Sequence, residues 1–451
     1  MRTHPIALSL LGCLALSALS GCAPACGDEV IRIEALLSGQ SLVIDPACVI
    51  RTSVTVPAGA TVSATFDLPA DAAIHLTPSP DGMPPTTLRD SHLEGGGTRA
   101  SVMIEGSGSA RIEGLEANLV RGTAIAALAG AQLTVVDLHL AGNVDPTQLI
   151  SLPNPAPPER FAIYGVVALD GASVVFEASA SPSRIERFAS AGIGCGSASM
   201  ALVDLVLHES RGVGVLAVDC ALSLERVEID ATLASPGLPG IGIAASGSTL
   251  NVDTLSLHDA PGFGLFATGT ESTLTGVSLE RMEQAGLWVE GGSRLTVTSS
   301  TLRDNAGAAI AAVGASALRI TDCEITGTDM APLPTLGGLA SDPMGDGIHV
   351  AERPGTALEV TLTRVDLAGN ERVGLVLDGA GESLSLAIEA VEVDAPATAL
   401  GAVAQRVSGL PADWDMGVVR VSSAARDAVA AELTVSDGTP YGILMPPTLA
   451  P

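Results

Sequence analysis

The sequence predicts an all-β solenoid with three short strands per turn, and three observations carry that prediction. An apolar spacing of two, three and two residues recurs down the chain, glycine-opened apolar runs precede it, and the distance between equivalent glycines is stable where no insertion interrupts it. The spacing is seen at Leu133, Val135, Leu138, Leu140 and again at Met200, Leu202, Leu205, Leu207. It returns at Leu222, Leu224, Val227, Ile229; at Leu250, Val252, Leu255, Leu257; at Leu318, Ile320, Cys323, Ile325; at Val360, Leu362, Val365, Leu367; and at Leu386, Ile388, Val391, Val393.

Alternating apolar positions place side chains on one face of a strand. The extra residue in the middle of the pattern turns the chain through a corner and keeps the next apolar side chain inward. The third strand of each turn is the apolar run that opens on glycine, as at Gly192-Ile193, Gly212-Val213-Gly214-Val215, Gly240-Ile241-Gly242-Ile243, Gly262-Phe263-Gly264-Leu265 and Gly286-Leu287-Trp288-Val289. Gly242 to Gly264, Gly264 to Gly286 and Gly286 to Ala308 are each 22 residues apart. That period is too short for two helices and fits one coil of a parallel β-helix. Aromatic residues make up only 2% of the chain, and small aliphatic side chains with 50 glycines suit a narrow continuous core. About 13 to 15 coils, each rising by one strand spacing of about 4.8 Å, would make a rod on the order of 65 Å long.

These glycine openings, the repeat and polar turns such as Arg303-Asp304-Asn305-Ala306-Gly307 resemble the pectate-lyase-like right-handed parallel β-helix superfamily over roughly residues 40–435. The resemblance concerns fold. Enzymes of that superfamily act as polysaccharide lyases or glycoside hydrolases, with clustered acids, or a basic residue beside calcium-binding carboxylates. This chain has no Asp-Asp pair, no Gly-His-Gly and no Arg-x-Pro-x-x-Arg; Arg353-Pro354 lacks the rest. No catalytic residue carries over.

The first residues have the layout of a secretory signal, a basic start followed by an apolar run at 6–19 too short to span a bilayer. Leu19-Ser20-Gly21-Cys22 resembles the lipobox of bacterial lipoproteins, which implies cleavage before Cys22 and a diacylglycerol on its thiol. Ala23 at the second mature position is what that family shows when the protein passes to the outer membrane. The expected organisation is a signal at 1–21, a lipidated N-terminus with capping structure and first coils at 22–100, the β-helix at 101–435 and a proline-rich tail at 436–451. The capping structure is expected in the less regular residues 54–94. Insertions at corners are expected at 143–160, 231–239, 328–346 and 410–415.

The chain holds 22 basic and 50 acidic residues, a net charge of −28, and its basic residues are all arginine. Such a surface repels nucleic acid and anionic lipid, so no nucleic-acid partner is expected and the lipid would be the membrane contact. An exported chain oxidises its thiols. Cys26 with Cys48 is the expected disulfide, Cys195 with Cys220 a second candidate, and Cys323 a buried free thiol.

Candidate sites lie on the outside of the coils. The residue after the last inward position of each coil forms a column, His208, Asp230, His258, Glu280 and Arg303, beside a second column, Glu209, Ala231, Asp259, Arg281 and Asp304. Opposite charges one strand spacing apart form either a stabilising surface ladder or an active face. Asp342, Asp346 and His349 are the candidate metal ligands, because hard oxygen donors around Gly345 and Gly347 allow a tight loop; their spacing matches no calcium loop, so no cofactor is called for. Asp137, Asp204 and Asp322 read as turn formers. The Gly-x-Gly steps at Gly212, Gly240 and Gly262 precede no helix and read as strand openings. Trp288 and Phe266 could offer a sugar a stacking face. The functional expectation is a lipid-anchored, non-catalytic envelope rod that binds a glycan or protein partner, with a polysaccharide lyase or glycoside hydrolase as the alternative.

Overall fold

The structure, a computed structural model, describes residues 27–96, 100–143, 163–235, 238–334, 340–352, 357–378, 384–394, 400–405 and 419–421. The chain is a right-handed parallel β-helix of about 13 turns, each about 23 residues long. Among the described residues the coils stack into a wide sheet of 23 strands and a narrow sheet whose path has 14, with one further strand, Ala331–Pro334, paired off that path. The wide sheet takes two strand segments from each coil and the narrow sheet takes one.

The corners explain the spacing. The middle residue of the two-three-two pattern adopts the left-handed backbone conformation in coil after coil: φ is 50° at Asp204, 53° at Arg226, 62° at Thr254, 51° at Ser299 and 54° at Asp322. Asp137, with φ 52°, turns the same corner. A second corner follows the wide sheet at Glu209, Ala231, Asp259, Arg281 and Asp304, with φ between 49° and 60°. The third follows the narrow sheet, at Asp219 and then at glycines such as Gly247 and Gly269. A non-glycine residue in this conformation costs about 1–2 kcal/mol. The cost is offset because each corner amide bonds to the next coil, as Glu209 N–H does to the Asp230 carbonyl at 3.1 Å and Asp259 N–H to that of Glu280 at 3.2 Å.

Inside, like residues stack on like. Leu202, Leu224, Val252, Leu274, Val297, Ile320 and Leu362 pair in consecutive register and are all buried. Where the narrow sheet approaches the wide one, glycine is required by space. A Cβ on Gly242 would lie 2.2 Å from Leu257 Cδ1 and 2.7 Å from the carbonyl oxygen of Gly264.

The N-terminal end differs from expectation. Residues 54–94 are coils, with Thr61–Ser63, Thr65–Leu68, Thr86–Arg89 and His92–Gly95 paired in parallel with later strands. Strands of three or four residues, separated by turns at Pro57 and Pro69, hide the repeat there. A helix, α1 (Gly27–Glu34), lies at this end and buries Ile33 in the core. The inserted residues 328–346 contain a hairpin, Ala331–Pro334 running antiparallel to the start of Ala340–Ala351. Residues 1–26, 144–162, 406–418 and 422–451 lie outside the described residues, and with them Cys22, Cys26, most of the 143–160 insertion, the 410–415 insertion and the C-terminal tail. No helix among the described residues is long and apolar enough to cross a membrane.

Candidate functional site

The column read from the sequence forms in register on the wide sheet. His208 pairs with Asp230, Asp230 with His258, His258 with Glu280, and Glu280 with Arg303, each at the end of its strand segment. Strand register places them there, because the residues inserted at 231–239 lengthen that coil only at the corner just after Asp230.

The first three column members make one cluster. His208 Nδ1 is 2.8 Å from Asp230 Oδ2, and His258 Nδ1 is 3.1 Å from Asp230 Oδ1. His258 Nδ1 is also 3.0 Å from Asp259 Oδ2, the corner residue that follows it. Arg281 closes a fork on Asp259, with Nε 2.7 Å from Oδ1 and Nη2 2.9 Å from Oδ2. The Arg281 hydrogen bonds, then that from His258, hold the Asp259 carboxyl well below the usual range and outweigh the opposing effect of burial. Below this group burial pushes the Glu186 carboxyl up, but the Arg184 hydrogen bond and the charges of Arg187, Arg184 and His208 outweigh it and lower it. The last two column members do not extend the ladder as pairs. Arg303 turns to Glu324, 3.2 Å away, and Glu280 bonds Arg281 at 3.1 Å.

The candidate metal loop resolves differently. Asp346 and His349 meet, Nδ1 to Oδ2 at 2.8 Å, and both are buried. The cation on that carboxylate, however, is Arg372, whose Nε lies 2.7 Å from Oδ1 and whose Nη2 bonds Oδ2. The guanidinium fork engages both oxygens of this fully buried carboxylate. Among the described residues, His349 Nε2 is buried without a hydrogen-bond partner. The side chain of Asp342 lies outside the described residues. Arg372 was not singled out in the sequence; it precedes Val373, which pairs with Asp346 one coil away, and only the register reveals it.

Trp288 does not present a stacking face. It is 4% exposed, packed on the outer side of the narrow sheet with Phe263 at a ring distance of 5.8 Å, and its Nε1 bonds Glu290. Phe266 joins the same cluster, 5.5 Å from Phe263. Cys195 and Cys220 are joined by a disulfide between consecutive coils, Cys323 is a buried free thiol, and Cys48 is disulfide-bonded.

The first corner of the wide sheet carries two open grooves. One, of about 430 Å³, lies against Asp204, Arg226, Glu228 and Thr254; the other, of about 600 Å³, lies against Ser299, Asp322, Arg364 and Glu392. Each contains a coil-to-coil ion pair: Arg226 forks Asp204 at 2.6 and 3.1 Å, and Arg364 forks Asp322 at 2.5 and 2.8 Å. Beside the second groove, Thr275, Thr298, Thr321 and Thr363 stand in register on four successive coils. Two residues before them in the strand, the sequence places Thr273, Thr296, Arg319 and Thr361 in a parallel column.

Residues 191–359 match the family described as the right handed beta helix region. No curated protein sequence matches the chain. Among solved structures, the chain is similar to the catalytic domain of a GH87 alpha-1,3-glucanase in complex with tetrasaccharides, at 10% identity and a TM-score of 0.34, over 84% of this chain and 63% of that one. A second structure of that catalytic domain, in complex with nigerose, gives 9% identity and a TM-score of 0.30 over the same shares. The chain thus spans under two thirds of the length of these glucanase chains.

Proposed function

We propose that the chain is a lipid-anchored rod of the bacterial cell envelope, held to the outer membrane through Cys22, that binds a linear glycan along the outer face of its wide sheet. The observation that carries this reading is the in-register threonine column at 275, 298, 321 and 363, with the ion-paired groove beside it. A flat sheet repeating every coil presents one hydroxyl per strand spacing of about 4.8 Å, which suits a ligand that also repeats along its length. Hydroxyls serve as both donors and acceptors and match the hydroxyls of a sugar. The Arg364–Asp322 fork adds a planar polar surface with little net charge, favouring a neutral glycan over an acidic one.

The test is a panel of neutral and acidic polysaccharides presented to the chain from Ala23 onward, with binding, new reducing ends and unsaturated products all followed. Retention on a neutral glycan is expected, weakened at least tenfold by Thr298→Lys with Thr321→Lys, and without turnover. Turnover of any polymer would replace this reading with a hydrolase or lyase. Absence of binding to every glycan would leave a protein partner as the ligand class.

A further inference from the structure

We infer that His258, Asp230 and Asp259 form a binding site for a divalent transition-metal ion of the zinc class, with His208 and Arg281 orienting its carboxylates. The ligand atoms of the three residues all lie within 4.8 Å of one another. Two of the separations are 3.1 and 3.0 Å, from His258 Nδ1 to Asp230 Oδ1 and to Asp259 Oδ2. Ligands at 2.0–2.2 Å around a tetrahedral ion stand about 3.3 Å apart, so these atoms need to open by only a few tenths of an ångström.

The position of the imidazole is a second argument. A neutral ring carries at most one hydrogen on Nδ1, yet that nitrogen faces two carboxylate oxygens from different coils. Only the Asp259 contact has hydrogen-bond geometry, so Asp230 Oδ1 faces the ring nitrogen at 3.1 Å without a hydrogen directed at it. A cation seated between them satisfies the nitrogen lone pair and both oxygens together.

The surroundings have the form of an outer shell. Asp230 keeps Oδ2 on His208 Nδ1 at 2.8 Å, which leaves Oδ1 turned to the site. Arg281 fixes the plane of Asp259 through its fork. Metal-binding carboxylates are commonly oriented in this way, and loss of such partners weakens affinity about 10–100-fold. Glu209 stands 3.5 Å from His208 Nε2 and Glu228 3.8 Å from His258 Nε2, adding two acidic groups to the two ligating carboxylates, and the local field favours a cation. A ring nitrogen among the ligands selects zinc, cobalt or nickel over calcium or magnesium. The side chains of His208, Asp230 and His258 are about a quarter exposed, at 25, 25 and 26%, which gives the ion access and leaves room for water in a fourth position.

The site does not depend on whether a glycan binds. The test uses the full chain stripped with EDTA and titrated with Co²⁺ and then Zn²⁺, following the visible d–d absorption of cobalt and the heat of zinc binding. One equivalent of Co²⁺, displaced by Zn²⁺, is expected. His258→Ala and His258→Gln should each weaken it at least tenfold, Asp259→Asn likewise, and His139→Ala on a distant coil should leave it unchanged. Melting of each variant in EDTA checks that the coils remain folded. No uptake of either metal by the wild-type chain, or equal uptake by the His258 variants, overturns the proposal.

Discussion

Asp346 shows how single residues in this rod divide into those that hold it together and those that decorate it. Burial alone would push its carboxyl up, yet the hydrogen bonds from His349 and Arg372, with their charges, reverse that and leave it below the ordinary range. A carboxyl whose folded pKa is depressed stabilises the fold above its unfolded value of about 3.9 and loses that contribution as pH falls through the lower folded value. Removing one partner of a buried pair costs about 3–5 kcal/mol. Asp346→Asn should therefore lower the urea-unfolding free energy by that amount at pH 7. The gap from wild type should shrink as pH drops below about 3.9, and a gap that stays constant through that range would refute the account. Arg226 and Asp204 contrast with it: a fork of similar geometry at an exposed corner loses most of its worth to water and to side-chain entropy.

At the scale of the coil, the disulfide and the corners show which features a sequence can disclose. Cys195 lies in a strand of the narrow sheet and Cys220 just past the corner of the next coil, 25 residues on. Closing a loop of that length contributes about 3.5 kcal/mol in the chain-entropy picture. Replacing both by alanine should lower stability by about that much in oxidising buffer, and the gap between variant and wild type should close in reductant, which also opens the Cys48 disulfide in both chains. The wide-sheet column from His208 to Arg303 was legible because period-two alternation and the recurring two-three-two apolar spacing fix which residues face outward, whatever the length of the corner between them. The extra residue in each repeat was legible as a bend, and the left-handed conformations at Asp204 and Asp322 are that bend. Three things were not legible. The coils at 54–94 have strands too short to show a period. Arg372 follows Asp346 by 26 residues, off the 22-residue step, so neither spacing nor alternation connects them. Trp288 alternates as an outward residue and does lie outside the narrow sheet, but alternation cannot say that this face is covered, and there it is packed with Phe263 and Ala311.

Across the whole molecule, stacking gives the rod its core and also lines up its charges. Each coil buries its inner face only against its neighbours, so stability is approximately a sum of coil and interface terms. The same register that stacks leucine on leucine places Glu324, Asp366 and Glu392 on successive coils of one column. Like charges directly opposite one another on adjacent strands destabilise the sheet. With a net charge of −28, such repulsion extends well beyond single pairs. Salt acts on it at long range: between about 10 and 150 mM the screening length falls from about 30 to about 8 Å. The exposed arginine forks lose some attraction over that range, but their partners are within 3.2 Å in the Asp204, Asp259 and Asp322 pairs, well inside the shorter screening length. The balance therefore favours added salt, and the melting temperature measured by scanning calorimetry should rise between those two concentrations. A fall instead would mean that the ion-paired corners outweigh the acidic columns, and neutralising Asp366 with Asp366→Asn, which should otherwise stabilise the rod most at low salt, would then have no effect.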